Sequence, residues 1–383
     1  MKKIILLASL FIGTVGFAQT LVASFKPVDS KTNWGYMNEK GEAIIEPSYK
    51  TVVDFNSDGV TPVFDAATKT WKFINLNNET IDVPFKKFEP YSIFGFGKTS
   101  FVDGLALVVV KKKKGVVNLK GEVVFDPIYD FISPFENGFA TAKIGLSFYI
   151  LSKNGERTEL EQGITVIRKF SEGFAPFKAK NELFGYLNYK GEAIIEPKFM
   201  KVGHFINGIA WARNYNKQIG FIDTKGDWVV DAKYLGAKDM SREEGIARVK
   251  TAEGWKFVAK DGSEISASGA ISYGDFHNGL AFARQGKMYG YINPEGEWII
   301  KPKYLKVKDF HDGVAAVRTT DKWGFINIEG EIIFKEEARA IRNFQNGYAA
   351  VQNMQDLWGF INTKGEWVIE PQFTRVRDFF LVK

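Results

Sequence analysis

The chain has 383 residues, 45% apolar and 25% charged, the balance of a folded soluble protein with a substantial core. Its formal charge of +6, or +4 once Lys2 and Lys3 are removed, does not make the broad basic face that nucleic-acid binding requires, and the dense run Lys111 to Lys114 reads as a solvated hairpin. With no cysteine, disulfides, thiolate chemistry and a lipidated cysteine are all excluded, so stability must come from packing.

Residues 1–18 open on two lysines, continue with an apolar run from Ile4 and carry small residues at Gly16 and Ala18. This is the layout of a secretory signal peptide, with cleavage expected after Ala18. The apolar run is shorter than the ~20 residues of a spanning helix. The expected mature chain, 19–383, contains no further candidate span, and its destination is the periplasm, the outer-membrane surface or the exterior.

From there to the C-terminus one phrase recurs: NWGYMNEKGEAIIEP, FGYLNYKGEAIIEP, YGYINPEGEWIIKP, KWGFINIEGEIIF and LWGFINTKGEWVIEP. Gly35, Gly115, Gly185, Gly220, Gly290, Gly324 and Gly359 mark it, and Lys72, Tyr149 and Lys256 take that place in degenerate copies. Ten units result, spaced near 35 residues and irregular over 50–115. A second column, Ala106, Ala140, Ala175, Ala210, Ala247, Ala281, Ala315 and Ala349, recurs at 34 to 37 residues, each with a glycine two residues earlier. One unit therefore reads F-x-x-G-Φ-A-x-V, then W-G-F-I-N-x-x-G-E-x-V-I-E-P-x-F, with Φ apolar.

Each unit holds three short runs rich in Val, Ile, Phe and Tyr between glycine turns, the signature of β-strands. A single helical turn is expected at most around KEEARAIR, residues 335–342. In N-x-x-G-E the asparagine caps a turn and the glycine takes the left-handed conformation, which makes Gly296, Gly330 and Gly365 backbone requirements. Pairing across that turn sets Ile292 by Trp298, Tyr291 by Ile299 and Gly290 by Ile300. Tyr289, Tyr291 and Ile299 then share one face, and Ile292, Trp298 and Ile300 the other. The glycine of the aromatic-glycine pair leaves a gap that a large side chain can cover. A hairpin apolar on both sides needs neighbours on both sides, so each unit is stable only when flanked by others.

On NWGYMNEKGEAIIEP, KWGFINIEGEIIF and LWGFINTKGEWVIEP the chain resembles the WG-repeat family, also called KWG repeats, over essentially all of its mature length. The resemblance implies a β-rich interaction array, widespread in bacteria, often behind a signal peptide and without a recognised catalytic residue set. Its structural residues here are Trp34, Gly35, Gly185, Gly290, Gly296, Trp323, Gly324, Gly330, Trp358, Gly359 and Gly365.

Motifs for chemistry are sparse. In SIFGFGKTS, Gly97-Lys98-Thr99 has the tail of a phosphate loop but neither its first glycine nor a following helix. His277 and His311 share a slot that holds Glu136, Ser171 or Gln345 elsewhere, as an exposed turn permits, and His204 reads as a lone surface residue; no metal site is expected. Glu42, Glu122, Glu192, Glu297, Glu331 and Glu366 recur after the hairpin glycine and read as turn caps rather than catalytic acids. Trp34, Trp323 and Trp358 read as core residues of their own units. Trp228, Trp298 and Trp367 stand where other copies have Ala43, Val123, Ala193 or Ile332, and Trp211 lies outside any aromatic column; these four are the candidate binding residues.

The expected fold is therefore all-β, a tandem array of about ten β-meander repeats in an open, superhelical, solenoid-like stack, with a closed propeller-like ring as the alternative. The shortened first unit from Leu21 and the tail FFLVK read as terminal caps of the open form. The expected function is an exported, monomeric, non-catalytic binding or scaffolding surface for a protein partner in the cell envelope, without cofactor. A carbohydrate- or peptidoglycan-binding module using exposed Trp and Tyr is the alternative, and a hydrolase with a site between repeats stands behind both.

Overall fold

A computed structural model of the chain describes residues 20–29, 33–92, 100–319 and 322–382. Every regular element among them is a β-strand, and the unit has four strands rather than the three read from the sequence. In the unit spanning 201–234 these are Lys201–Val202, Ala210–Arg213, Ile219–Ile222 and Trp228–Tyr234, antiparallel and in chain order. The added strand is a two-residue segment that pairs with the alanine strand, too short to show a period of its own. KEEARAIR forms no helical turn; strands Ile332–Ala338 and Ala340–Ile341 run through it.

Two turns shape each unit. In N-x-x-G-E, the Asn293 side chain accepts the Glu297 amide at 2.8 Å, and Gly296 sits at φ 84°. A side chain at Gly296 would also stand 2.8 Å from the Ser266 carbonyl of the preceding unit, so the position needs glycine twice over. The F-x-x-G turn is a second tight hairpin. Asn207 and Gly208 both have positive φ, and Ile206 and Ile209 exchange backbone hydrogen bonds at 3.0 and 3.2 Å, the geometry of a type I′ turn.

The pairing across the first turn departs from the simple ladder. Ile292 faces Trp298 as expected, but the register then shifts, so Tyr291 faces Ile300 and Tyr289 faces Tyr304. The bulge turns Ile299 outward, 46% exposed, and buries Ile300 with Tyr291 against the next unit. It also explains the W-G glycine differently. A Cβ on Gly35 would stand 2.5 Å from the Ile45 carbonyl oxygen and 2.9 Å from the Pro47 nitrogen, so bulged backbone, not a large side chain, fills the gap. Apart from Trp367–Val376, whose end pairs with a further strand, each unit's fourth strand is an edge. Pro47, Pro127, Pro197 and Pro302 sit on four of these edges, where a residue without N–H discourages further pairing.

Strand pairing decides between the open stack and the closed ring in favour of the ring. The N-terminal strand Thr20–Pro27 pairs with Trp34–Met37 on one side, and on the other with the end of Trp367–Val376 and with Phe380–Val382. The first and last segments are thus halves of one composite blade, not caps. Ala23, opposite Met37, takes the place that Ala315 holds opposite Ile326, extending the alanine column to the N-terminus. Ten hydrophobic clusters follow, one at every junction between successive blades, including the two that flank the composite blade. An open array of ten units would have one junction fewer. In the cluster between 164–199 and 201–234, Tyr186, Ile195 and Phe199 of one blade pack on Val202, Phe205, Ala210 and Ile222 of the next. Each blade's apolar faces are therefore covered by its neighbours.

The alternation of strand directions puts both glycine turns of a blade at one end. The loop between the second and third strands and the corner into the next blade lie at the other. The ring thus has a turn face and a loop face.

Candidate functional site

On the turn face the F-x-x-G hairpins stitch to one another around the ring. The Glu172 carboxylate accepts the amides of Asn207 at 2.7 Å and Gly208 at 2.8 Å from the next blade, while the Glu172 amide donates to Glu136 at 2.6 Å. Glu243 and Glu244 hold the amides of Asn278 and Gly279, both at 3.0 Å, and Asp312 holds Gly347 at 2.7 Å. Equivalent residues touch only where blades converge, so these turns form the inner rim. The His277 and His311 rings, in equivalent places on adjacent blades, have centroids 5.6 Å apart. A tenfold ring with that spacing has a central opening of radius on the order of 9 Å.

Behind the rim runs a wall of cations and carboxylates on the segment between the first strand and the F-x-x-G phenylalanine. Arg168, Lys308, Arg342 and Arg377 lie over the aromatic of their own W-G position, 5.3 to 5.8 Å from the rings of Phe184, Trp323, Trp358 and Trp34. Their charged ends reach the next blade. Arg168 donates to the Val202 carbonyl at 2.7 Å, Arg342 stands 3.5 Å from Asp378, and Arg377 stands 3.6 Å from Asp54. Asp54 also accepts from Ser24 at 3.2 Å, so one carboxylate holds both halves of the composite blade.

Burial dominates the titration of this wall. It raises the carboxyls of Asp54, Asp239, Asp309 and Asp378 above the usual carboxylate range; the nearby Arg377, His204 amide, His277 and Arg342, respectively, only partly oppose it. It lowers Arg168 and Lys308, and pushes His204 down to about 4, helped by the charges of Arg168 and Lys169. His204 is thus a half-buried wall residue rather than the surface residue expected, and its Nδ1 has no partner. Two clefts open between blades along the rim. One, of about 540 Å³, is lined by Lys308, His311, Asp312, Arg342, Asn346 and Asp378; the other, of about 390 Å³, by Asp239, Arg242, Glu244, Arg248, Asp275 and His277. Oδ1 of Asp309, Oδ1 of Asp378 and Oε2 of Glu244 are buried without a hydrogen-bond partner among the described residues. Among the described residues no three His, Asp or Glu converge as a metal would require. The wall offers paired charges and spare acceptors for polar recognition.

The four candidate tryptophans are not brought together. Trp228, Trp298 and Trp367 start the outer strands of alternate blades, and each leans on the blade before it. Trp228 is edge-on to Phe199 at 5.6 Å, the Trp298 indole donates to the Ser268 carbonyl at 3.1 Å, and the Trp367 indole donates to Glu336 at 3.0 Å. Trp228 is the most open of these, 37% exposed. Trp211 lies against Gly203 on the inner wall and donates to Asp239. Trp34, Trp323 and Trp358 are half-buried against the inter-blade clusters beneath their cations. Glu42, Glu122, Glu192, Glu297, Glu331 and Glu366 accept from the side chain of the turn asparagine four residues earlier at 2.7 to 3.0 Å, the turn-cap arrangement. Gly97, Lys98 and Thr99 lie outside the described residues.

What the sequence reading passed over is the wall itself, although Arg168, Lys308, Arg342 and Arg377 recur in phase with the repeat. The signal for the rim was the N-G and D-G dipeptide before the alanine strand, a hairpin mark in its own right.

No curated protein matches the chain. Solved structures similar to it include a eukaryotic initiation factor (11% identity, 83% of this chain and 96% of that one, TM-score 0.46). BamB from Moraxella catarrhalis is 11% identical over 70% of this chain and 93% of its own, with TM-score 0.34, and Kluyveromyces lactis Hsv2 is 12% identical over 72% and 95%, with TM-score 0.36. The WG-containing repeat family matches residues 34–64, 115–145, 184–217, 219–255, 289–323, 323–353 and 358–380, more than half the sequence. With the W-G glycines, the cation-capped aromatics and the N-x-x-G-E turns repeating blade after blade, the chain belongs to the WG-containing repeat family.

Proposed function

We propose that the protein is a non-catalytic binding platform of the cell envelope, exported behind residues 1–18, whose turn rim receives a protein partner. The observation that carries the reading is the pair of charged clefts on the inner rim, where Asp378 in one and Glu244 in the other each keep a buried oxygen without a partner among the described residues, beside Lys308 and Arg342 in the first and Arg248 in the second. Buried acceptors of this kind favour a ligand that supplies donors with fixed geometry, which a polypeptide does. On this reading the charges serve recognition.

The test is cross-linking in envelope fractions with the wild type and with Asp378→Asn/Glu244→Gln. A stoichiometric protein partner retained by the wild type and lost by the variant supports the reading. Absence of any partner, or turnover in a panel of glycosidase and esterase substrates, overturns it. A glycan-binding reading is favoured by one observation, the exposure of Trp228 on the outer edge. Quenching of tryptophan fluorescence by peptidoglycan fragments that disappears in Trp228→Ala would support it.

A further inference from the structure

On the loop face, at the corner where one blade passes into the next, four successive junctions repeat one arrangement. An apolar residue donates its backbone N–H to the carbonyl of a basic residue: Met200 to Arg213 at 2.9 Å, Leu235 to Lys250 at 2.8 Å, Ile271 to Arg284 at 2.8 Å and Leu305 to Arg318 at 2.7 Å. Leu235 and Ile271 are each 57% exposed and Leu305 is 42% exposed. Nothing in the blade core needs them there, because the same corner is filled by Lys50, Asp130 and Arg339 elsewhere in the ring.

The cations beside them are equally distinctive. Arg339 is held by Asp356 at 2.6 Å on the same face, but Arg213, Lys250, Arg284 and Arg318 have no carboxylate partner among the described residues. The Nε atoms of Arg213 and Arg318 lack an acceptor among the described residues. Lys201, Lys217, Lys287 and Lys306 lie on the same corners and loops. Glu253, on the loop between the second and third strands of its blade, sits 4.0 Å from Lys256, which also stands 3.5 Å from Glu264, so both carboxylates are engaged by that lysine.

We infer that the loop face over residues 200–318 is a docking surface for an anionic lipid bilayer, the aliphatic side chains entering the interface and the unneutralised cations meeting lipid phosphates. Surfaces of this composition bind membranes through buried apolar area plus attraction to anionic headgroups. A soluble polyanion would engage the cations and leave the aliphatics in water; it is the rival occupant. The inference is independent of what binds the turn rim, since the two faces lie at opposite ends of the strands.

The experiment is flotation of the purified chain with phosphatidylcholine vesicles with and without phosphatidylglycerol, beside heparin as a soluble polyanion. Expected are binding only to the anionic vesicles, relief by salt, and at least tenfold weaker binding for both Leu235→Ser/Ile271→Ser/Leu305→Ser and Lys250→Glu/Arg284→Glu, with unfolding temperatures unchanged. No binding to anionic vesicles at low salt would overturn the inference. So would full retention of binding by the serine variant, or heparin binding alone. Should a multiple variant fail to fold, Leu235→Ser and Lys250→Glu singly must each weaken vesicle binding, and equal binding by both overturns it.

Discussion

The two faces of the ring spend the same residue types in opposite ways. On the turn rim Glu172, Glu243, Glu244 and Asp312 are consumed by backbone amides of the following blade, and Arg342 and Arg377 by carboxylates across the junction. On the loop face Arg213, Lys250, Arg284 and Arg318 stand without an ionic partner among the described residues, next to exposed aliphatics. Most charge near the axis is engaged by the neighbouring blade, with single oxygens of Asp378 and Glu244 left over, whereas at the corners whole cations are left over from the fold. The difference shows that charge content alone does not locate function in a repeat array; what matters is whether a neighbouring copy already satisfies each charge.

Removing the strands that close the ring attacks the first half of that comparison hardest. Truncation after Thr374 takes away Val376, Phe379 and Val382, which are buried in the clusters flanking the composite blade. The expected loss is at least about 5 kcal/mol, read as the urea midpoint, because three large buried side chains and their ladder go together. An open stack would lose far less. Next come the W-G glycines. Gly359→Ala should cost about 2 kcal/mol, because its Cβ would meet the Pro371 nitrogen at 2.7 Å. At Gly324, where Phe334 O is 3.6 Å away and no proline follows, the same change should be neutral within about 0.5 kcal/mol. Equal effects would remove the bulge as the reason for the glycine.

Smaller effects separate the rims. Glu172→Ala, which strips the acceptor from two amides of the next blade, should cost about 1 kcal/mol, while Arg284→Ala should stay within about 0.5 kcal/mol. Acid should find His204. Its folded value of about 4 lies below the ordinary 6.5, so the unfolded chain takes up a proton that the folded chain refuses. His204 therefore subtracts stability as pH falls from 6.5 towards 4, and His204→Asn should flatten the pH dependence of the urea midpoint there. Asp54, Asp239, Asp309 and Asp378 act with the opposite sign. Their raised values favour the protonated folded form, so the stability they add near their titration is lost as pH rises through it.

Much of this fold was legible because the repeat fixes it many times over. The strands, the left-handed Gly296 and the asparagine cap at Asn293 follow from local turn chemistry, and the need for neighbours follows from Tyr291 and Ile292 pointing to opposite faces. The bulge after Trp298 was not legible, because a proline in a strand signals a ladder fault without saying which partner residue is skipped. Closure was hidden for a different reason. Strands at the two ends of the chain, Thr20–Pro27 and Phe380–Val382, look like fragments until they are paired with each other. Tryptophan variability pointed to the outer edge, whereas the polar wall sits inside, where a basic column reads in sequence as ordinary surface charge.

The measurement that tests ring closure most directly uses the absence of native cysteine. Leu21 and Leu381 are paired across the closing strands, so the double variant Leu21→Cys/Leu381→Cys should oxidise to a single intramolecular disulfide in the folded monomer and raise the unfolding temperature. A double variant that stays reduced under mild oxidation, or that cross-links only between molecules, would show that the ends do not meet and that the array is open.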